Sequence, residues 1–133
     1  MMESYWPPAR EDASLPVFLR EWAHIWTDLP KVLVSNTRTE AEYNTRIAGG
    51  PNALDQIAQI RAETDGIIGV GGANLATQML QRGLLDEMVI YTHPAILGKG
   101  RPLFDTLDAP LILDLLDQER FTSGVTMHHY AIR

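Results

Sequence analysis

Apolar and polar positions alternate between two rhythms along this chain, one helical and one extended. Leu15, Phe18, Leu19, Trp22, Ile25 and Trp26 recur at helical spacing and predict an amphipathic helix that Asp28-Leu29-Pro30 ends. Ahead of it, Met1 to Trp6 reads as the end of a helix that Pro7-Pro8 breaks, because proline lacks the N–H that continues a helix. Lys31-Val-Leu-Val-Ser-Asn-Thr37 is a compact strand, Val32 to Val34, that spills into a polar end. A second extended piece, Thr45 to Ala48, stops at Gly49-Gly50-Pro51. Asn52 then has the chemistry of an N-cap for a helix over residues 53–63, with Leu54, Ile57, Ala58 and Ile60 to Arg61 on its inner side.

The next stretch organises the rest. Ile67-Ile68-Gly69-Val70 is short, apolar and β-branched, as a buried central strand is. It runs into Gly71-Gly72, and from Ala73 the apolar residues Leu75, Ala76, Met79 and Leu80 share one helical face. Gly83 follows as the C-terminal stop. A strand, a glycine pair and a helix start together offer free backbone N–H groups and a positive dipole end to an anion. The same glycines also suit a tight strand-to-helix turn with no ligand.

Met88 to Thr92 is a further strand, closed by His93-Pro94. A glycine-rich loop, Gly98-Lys-Gly-Arg-Pro102, leads to the apolar plug Leu103-Phe104 and a polar connection over 105–110. Leu111 to Phe121, a two-residue turn signal at Ser123-Gly124, and Val125 to Ile132 predict an antiparallel C-terminal hairpin. Strands alternating with helices ahead of that hairpin predict a largely parallel sheet, and no boundary divides residues 1–133 into separate domains.

Composition narrows the chemistry. The 133 residues are 45% hydrophobic and 21% charged, with no cysteine, which removes disulfides, thiolate metal sites and a thiol nucleophile together. A net charge of −6 argues against nucleic acid as a partner. No apolar run approaches a membrane span and no signal-like segment opens the chain, so a cytoplasmic protein is expected.

Gly69-Val-Gly71-Gly72-Ala-Asn74 almost matches the dinucleotide fingerprint, but Asn74 replaces its third glycine and Tyr91 stands where an acidic strand end is expected. Gly98-Lys99-Gly100-Arg101 has neither the hydroxyl residue nor the helix of a P-loop, although Lys99 and Arg101 suit an anionic ligand. His24, His93, His128 and His129 form no helical metal-binding pair, and no metal site is expected. No nucleophile pairs with a base. A reductase needs neither, because a nicotinamide supplies the hydride.

The run from Ile67 to Phe104, with its G-G-x-x-L-x-x-x-L-L-x-x-G-L-x-D-E core and its H-P-x-x-L-G-x-G-x-P-L-F continuation, resembles the reductase domain of the bifunctional riboflavin-biosynthesis deaminase–reductase. It equally resembles the stand-alone bacterial dihydrofolate reductase-like proteins, and Lys31 to Thr37 matches that group's strand. The resemblance implies an α/β, dihydrofolate reductase-like fold: a mixed, mainly parallel sheet flanked by helices, with the antiparallel C-terminal hairpin. It implies NADPH as cofactor. Gly71, Gly72, Ala73, Asn74 and Leu75 would then face the pyrophosphate. Val34, Ser35, Asn36 and Thr37 would lie by the adenosine ribose and its 2′-phosphate, and Val70 would approach the nicotinamide. The implied reaction reduces the ribosyl group of 5-amino-6-(5-phosphoribosylamino)uracil, with pterin reduction or a non-catalytic nucleotide-binding or dimerisation module as the alternatives. A homodimer is implied, and no catalytic side chain is assigned. The family's first strand and its Gly-Arg-x-Thr-(Tyr/Trp)-Glu segment have no counterpart before Met1-Met-Glu-Ser-Tyr-Trp-Pro7. An N-terminally truncated domain with exposed apolar surface and unpaired backbone is therefore expected.

Overall fold

Helix α1, Met2–Ala9, runs through both prolines rather than breaking at them. Pro7 and Pro8 cost the helix the bonds their N–H groups would have made to residues 3 and 4. Their fixed φ is nonetheless helical, and the chain leaves through tighter turns in which Arg10 and Glu11 donate to the carbonyls of Pro7 and Pro8. The structure, a computed structural model, describes residues 2–104, 107 and 109–133. Of the polar connection expected over 105–110, Asp105, Thr106 and Asp108 lie outside the described residues, as does Met1.

The chain forms two units, one ending at Glu63 and the other starting at Thr64. In the first, α1 packs on α2, Val17–Asp28, and each buries an alanine, Ala9 and Ala23. The expected amphipathic helix is present, but the side turned inward is centred on Ala23 and Thr27. Phe18, Trp22 and Ile25, from the expected inner face, are exposed in this structure. Small residues let two helices approach closely, whereas the bulkier ones flank the contact; Trp22 meets Trp6 edge to face at 6.4 Å between centroids.

Lys31 ends α2. Its Nζ donates to the carbonyls of Trp26 at 2.6 Å and Leu29 at 2.8 Å, the acceptors that a helix C-terminus leaves open. Strand β1, Lys31–Val34, then pairs in parallel with β2, Thr45–Ala48, in the register Lys31 to Thr45 and Val34 to Ala48. Between them Tyr43 and Asn44 both take positive φ, and Asn44 reaches back from its Nδ2 to the Asp28 carbonyl. Helix α3, Ala53–Glu63, follows with the expected bounds and buries Ile57.

In the second unit, α4 spans Ala73–Gln81 and buries Thr77 and Met79. Its end is a Schellman motif: Leu84 N–H donates to the Met79 carbonyl, Gly83 N–H donates to the Leu80 carbonyl, and Gly83 has a φ of 64°. The expected stop at Gly83 is thus made by backbone geometry that glycine accepts without strain. Strands β3 (Glu87–Thr92), β4 (Leu113–Arg120) and β5 (Thr126–Ile132) form an antiparallel sheet ordered β3-β5-β4, with a bulge at Leu116. The hairpin turn has three residues rather than two. Gly124 N–H closes on the Phe121 carbonyl at a φ of 85°, a type I turn followed by a left-handed glycine.

Helices and sheets together make this an α/β fold with the expected antiparallel hairpin. The strand expected at residues 67–70 does not form: among the described residues they pair with no other strand, and the described ladders are one parallel pair and one antiparallel sheet. Ile67 is 101% exposed. A β-branched sequence suits a strand, but a ladder needs a second backbone, and no described segment supplies one here.

Candidate functional site

Each unit carries one locus that the sequence singled out. In the first it is the carboxyl end of the parallel pair, where ligands of parallel α/β sheets bind. Ser35 extends the ladder by one bond, its N–H donating to the Ala48 carbonyl at 2.9 Å. Its side chain then builds the turn, Oγ accepting from the backbone N–H of Thr37 at 3.2 Å and of Arg38 at 3.0 Å. Asn36 ties this turn to the next loop, its Oδ1 accepting the Gly50 N–H at 2.8 Å. Gly49 must lack a side chain, because a Cβ there would lie 2.4 Å from the Ser35 carbonyl oxygen. Gly50 has a φ of 76°, and α3 starts three residues later with the Asn52 carbonyl accepting from Gln56 N–H at 3.0 Å.

Of the sequence-assigned residues here, Val34 is half-buried in β1, Ser35 and Asn36 spend their acceptors on the turn, and Thr37 is exposed. The Ser35 and Asn36 acceptors are internal and the Thr37 hydroxyl pairs with Ser35 Oγ at 3.4 Å, while the Asn36 amide N–H groups are donors, the polarity that phosphate and ribose oxygens require. Sequence reading missed Gly49 and Gly50 as parts of this locus, and also Arg38. The signal was present: a second glycine pair between a strand and a helix start, at 49–50, repeats the pattern at 71–72.

In the second unit the locus is the start of α4. Gly72 is its N-cap, with φ 98°, ψ 117° and no capping side chain. The first intrahelical bond runs from Ala76 N–H to the Gly72 carbonyl at 3.0 Å. The N–H groups of the preceding residues are therefore the orphan donors of a helix N-terminus, with its positive dipole end behind them. A Cβ at Gly71 or Gly72 would meet nothing within 4 Å, so the backbone is open to close approach. Asn74 is exposed and its Oδ1 accepts from Gln78 Nε2 at 2.6 Å, which again leaves amide donors outward. Ala73 and Leu75 are half-buried and Val70 is exposed. Gly71 to Leu75 are thus brought together around one helix start, and Ser35 to Thr37 around one strand end.

The histidines lie elsewhere. His129 pairs with Glu87 at 2.7 Å across β5 and β3, and His128 stacks on Tyr130. Lys99 and Arg101 are exposed in the glycine-rich loop.

Comparison with known proteins decides the family. Residues 11–127 match the model of the RibD C-terminal domain. The chain belongs to that family. It is 32% identical over 101 residues to YyaP of Bacillus subtilis (strain 168), an uncharacterised protein, covering 75% of this chain and 53% of the relative. It is also 32% identical over 89 residues to the uncharacterised YwjB of the same organism, covering 66% of this chain and 50% of the relative. The chain thus spans about half the length of the curated relatives it matches. A solved structure from Shewanella sp. PV-4, named for riboflavin biosynthesis, superposes with a TM-score of 0.69 at 30% identity, over 78% of this chain and 60% of that one. Acinetobacter baumannii RibD shares the fold, with a TM-score of 0.56 at 23% identity over 77% of this chain and 31% of that one. The RibD C-terminal domain has a reductase-like fold, and the match over residues 11–127 takes in both units of this chain. Among the described residues no helix is long and apolar enough to cross a membrane.

Proposed function

We propose that this chain is an NADPH-dependent reductase of the riboflavin-biosynthesis type, acting on 5-amino-6-(5-phosphoribosylamino)uracil or a closely similar pyrimidine. The observation that carries the reading is the start of α4: an uncapped helix N-terminus behind two glycines whose faces are open. A dinucleotide pyrophosphate is the anion that such donors hold. Gly71, Gly72, Ala73, Asn74 and Leu75 bind it through backbone N–H groups and the Asn74 amide. Ser35, Asn36 and Thr37 bind the ribose and its 2′-phosphate, with Val34 beneath them, and Val70 lies towards the nicotinamide. When bound, the cofactor supplies a hydride. The protein's part is to hold and orient it, which explains why no nucleophile and base pair is needed. Membership of the RibD C-terminal family and the 30% identity to a protein named for riboflavin biosynthesis support the choice of substrate class. The reading takes the protein as a cytoplasmic homodimer, and the exposed Phe18, Trp22 and Ile25 support a partner surface.

Titration with NADPH, followed by nicotinamide fluorescence, tests the reading. Saturable binding below about 1 mM is expected, and its absence overturns the proposal, since that Kd is worth only about −4 kcal/mol. A second reading, a non-catalytic nucleotide-binding or dimerisation module, draws on residues 67–70, which carry the sequence of a central strand without its ladder. It predicts NADPH binding with no turnover of any pyrimidine or pterin substrate.

A further inference from the structure

The antiparallel sheet of the second unit has two outer strands, β3 and β4, and only one of them is guarded. On β4 a bulge at Leu116 twists the edge, and Asp114, Asp117, Glu119 and Arg120 load it with charge, the usual devices against pairing with another chain. Strand β3 runs in unbroken register from Glu87 against Ala131 to Thr92 against Thr126, with no proline, lysine or bulge. The Ile132 N–H donates to the Asp86 carbonyl, so the even-numbered residues of β3 turn their backbone groups towards β5. Glu87, Val89 and Tyr91 therefore turn theirs outward, where no described strand meets them. Val89 is 49% exposed and Tyr91 57%.

We propose that this edge pairs antiparallel with the same edge of a second copy of the chain, Val89 against Val89, joining two three-stranded sheets into one. The inference deepens the homodimer of the proposed function, on which it rests, and takes nothing from the cofactor reading. Strand β3 is complementary to itself in this register. Across a two-fold axis at Val89, Glu87 of each copy faces Tyr91 of the other, a carboxylate acceptor against a phenol O–H donor. His129, 2.7 Å from Glu87 Oε2, holds that carboxylate on this face of the sheet. Met88 faces Ile90 on the opposite face, so within the paired stretch no acid meets an acid and no apolar side chain meets a charge. All the outward-turned residues, Glu87, Val89 and Tyr91, then exchange backbone hydrogen bonds in pairs. The neighbouring registers are poorer. Centring the axis on Ile90 sets Glu87 against His93, beyond the strand, and centring it on Met88 sets Glu87 against Val89.

Sedimentation equilibrium on the full chain tests the inference, together with cysteine cross-linking, since the chain has no cysteine of its own. The wild type is expected at twice the 14.9 kDa of one chain. Val89→Lys sets two ammonium groups against each other at the axis and is expected to weaken the dimer about tenfold or more, with the parent's circular dichroism retained. Val89→Cys, nearly isosteric and uncharged, is expected to give a disulfide-linked dimer under mild oxidation, because paired Cα atoms at that point stand about 5.5 Å apart. Ile90→Cys is expected to stay unlinked, since its two copies lie more than about 7 Å apart in this register. A dimeric wild type whose assembly is unaffected by Val89→Lys, or in which Val89→Cys stays unlinked or Ile90→Cys links instead, overturns the inference alone. A wild type that is monomeric up to about 1 mM overturns it together with the homodimer, and leaves the cofactor reading to the NADPH titration.

Discussion

The Ser35 carbonyl oxygen and the Gly49 Cα are packed so closely that a side chain at residue 49 has no room: its Cβ would stand 2.4 Å away. The contact is backbone against backbone, at the point where the two parallel strands release their chains into the candidate site. Because neither side can rotate away, Gly49→Ala must open the loop junction. We expect a loss of about 1–3 kcal/mol, the range for overpacking, seen as a lower urea midpoint at unchanged slope. The Asn36–Gly50 bond shares this junction, so Asn36→Ala is expected to act on the same loop, with a smaller loss near 1 kcal/mol.

The two glycines before α4 separate conformation from access. Gly72 has a φ of 98°, so Gly72→Ala is strained although its Cβ meets open space; about 1–2 kcal/mol of stability should go. Gly71 has neither a positive φ nor a neighbour within 4 Å of a built Cβ, so Gly71→Ala should fold like the parent. If the pyrophosphate lies against this backbone, the same methyl weakens NADPH by tenfold or more. Thermal denaturation and fluorescence titration on the two variants read these effects independently, and an unaltered NADPH affinity in Gly71→Ala would move the ligand away from this turn.

Lys31 is expected to matter through α2 rather than through any ligand. Its ammonium serves the Trp26 and Leu29 carbonyls and sits 4.6 Å from the centre of the Trp26 ring. Burial lowers its pKa from the ordinary lysine value, so desolvation offsets part of the gain. Replacement by Met, which keeps the stem, should cost about 1 kcal/mol in chemical denaturation and leave NADPH affinity intact.

Acid should release one pair in the second unit. Arg133 donates to both carboxylate oxygens of Asp114, and those hydrogen bonds hold the Asp114 carboxyl below the usual carboxylate range. A depressed pKa means the folded state binds the proton more weakly than the unfolded one. The contribution is therefore present above about pH 3.9, the unfolded value, and is lost as the pH falls through the folded pKa. Asp114→Asn should be slightly less stable than the parent at neutral pH, and the difference should vanish in strong acid. A stability difference that stays constant across that titration would show that the pair contributes nothing by linkage.

The local elements were legible in the sequence wherever the signal is local. Helix α3 has its expected bounds because the spacing of Leu54, Ile57 and Ile60 acts within a few residues. The Schellman stop at Gly83 and the β4–β5 hairpin depend likewise on near neighbours and a single permissive glycine each. Family membership was also written in the run from Ile67 to Phe104, which the match over residues 11–127 covers. What the sequence could not decide were the relations that need a distant partner. The β-branched run at 67–70 has a strand's composition, but a strand is a property of two backbones, and among the described residues none forms a ladder with it. The face of α2 that turns inward carries Ala23 and Thr27, against the pattern of the large residues, because burial there is decided by what packs on the helix and not by its own spacing. The same holds for the strand-end locus: only parallel pairing of β1 and β2 puts Gly49 against Ser35 and Gly50 against Asn36, because residues fourteen apart meet when their strands run side by side.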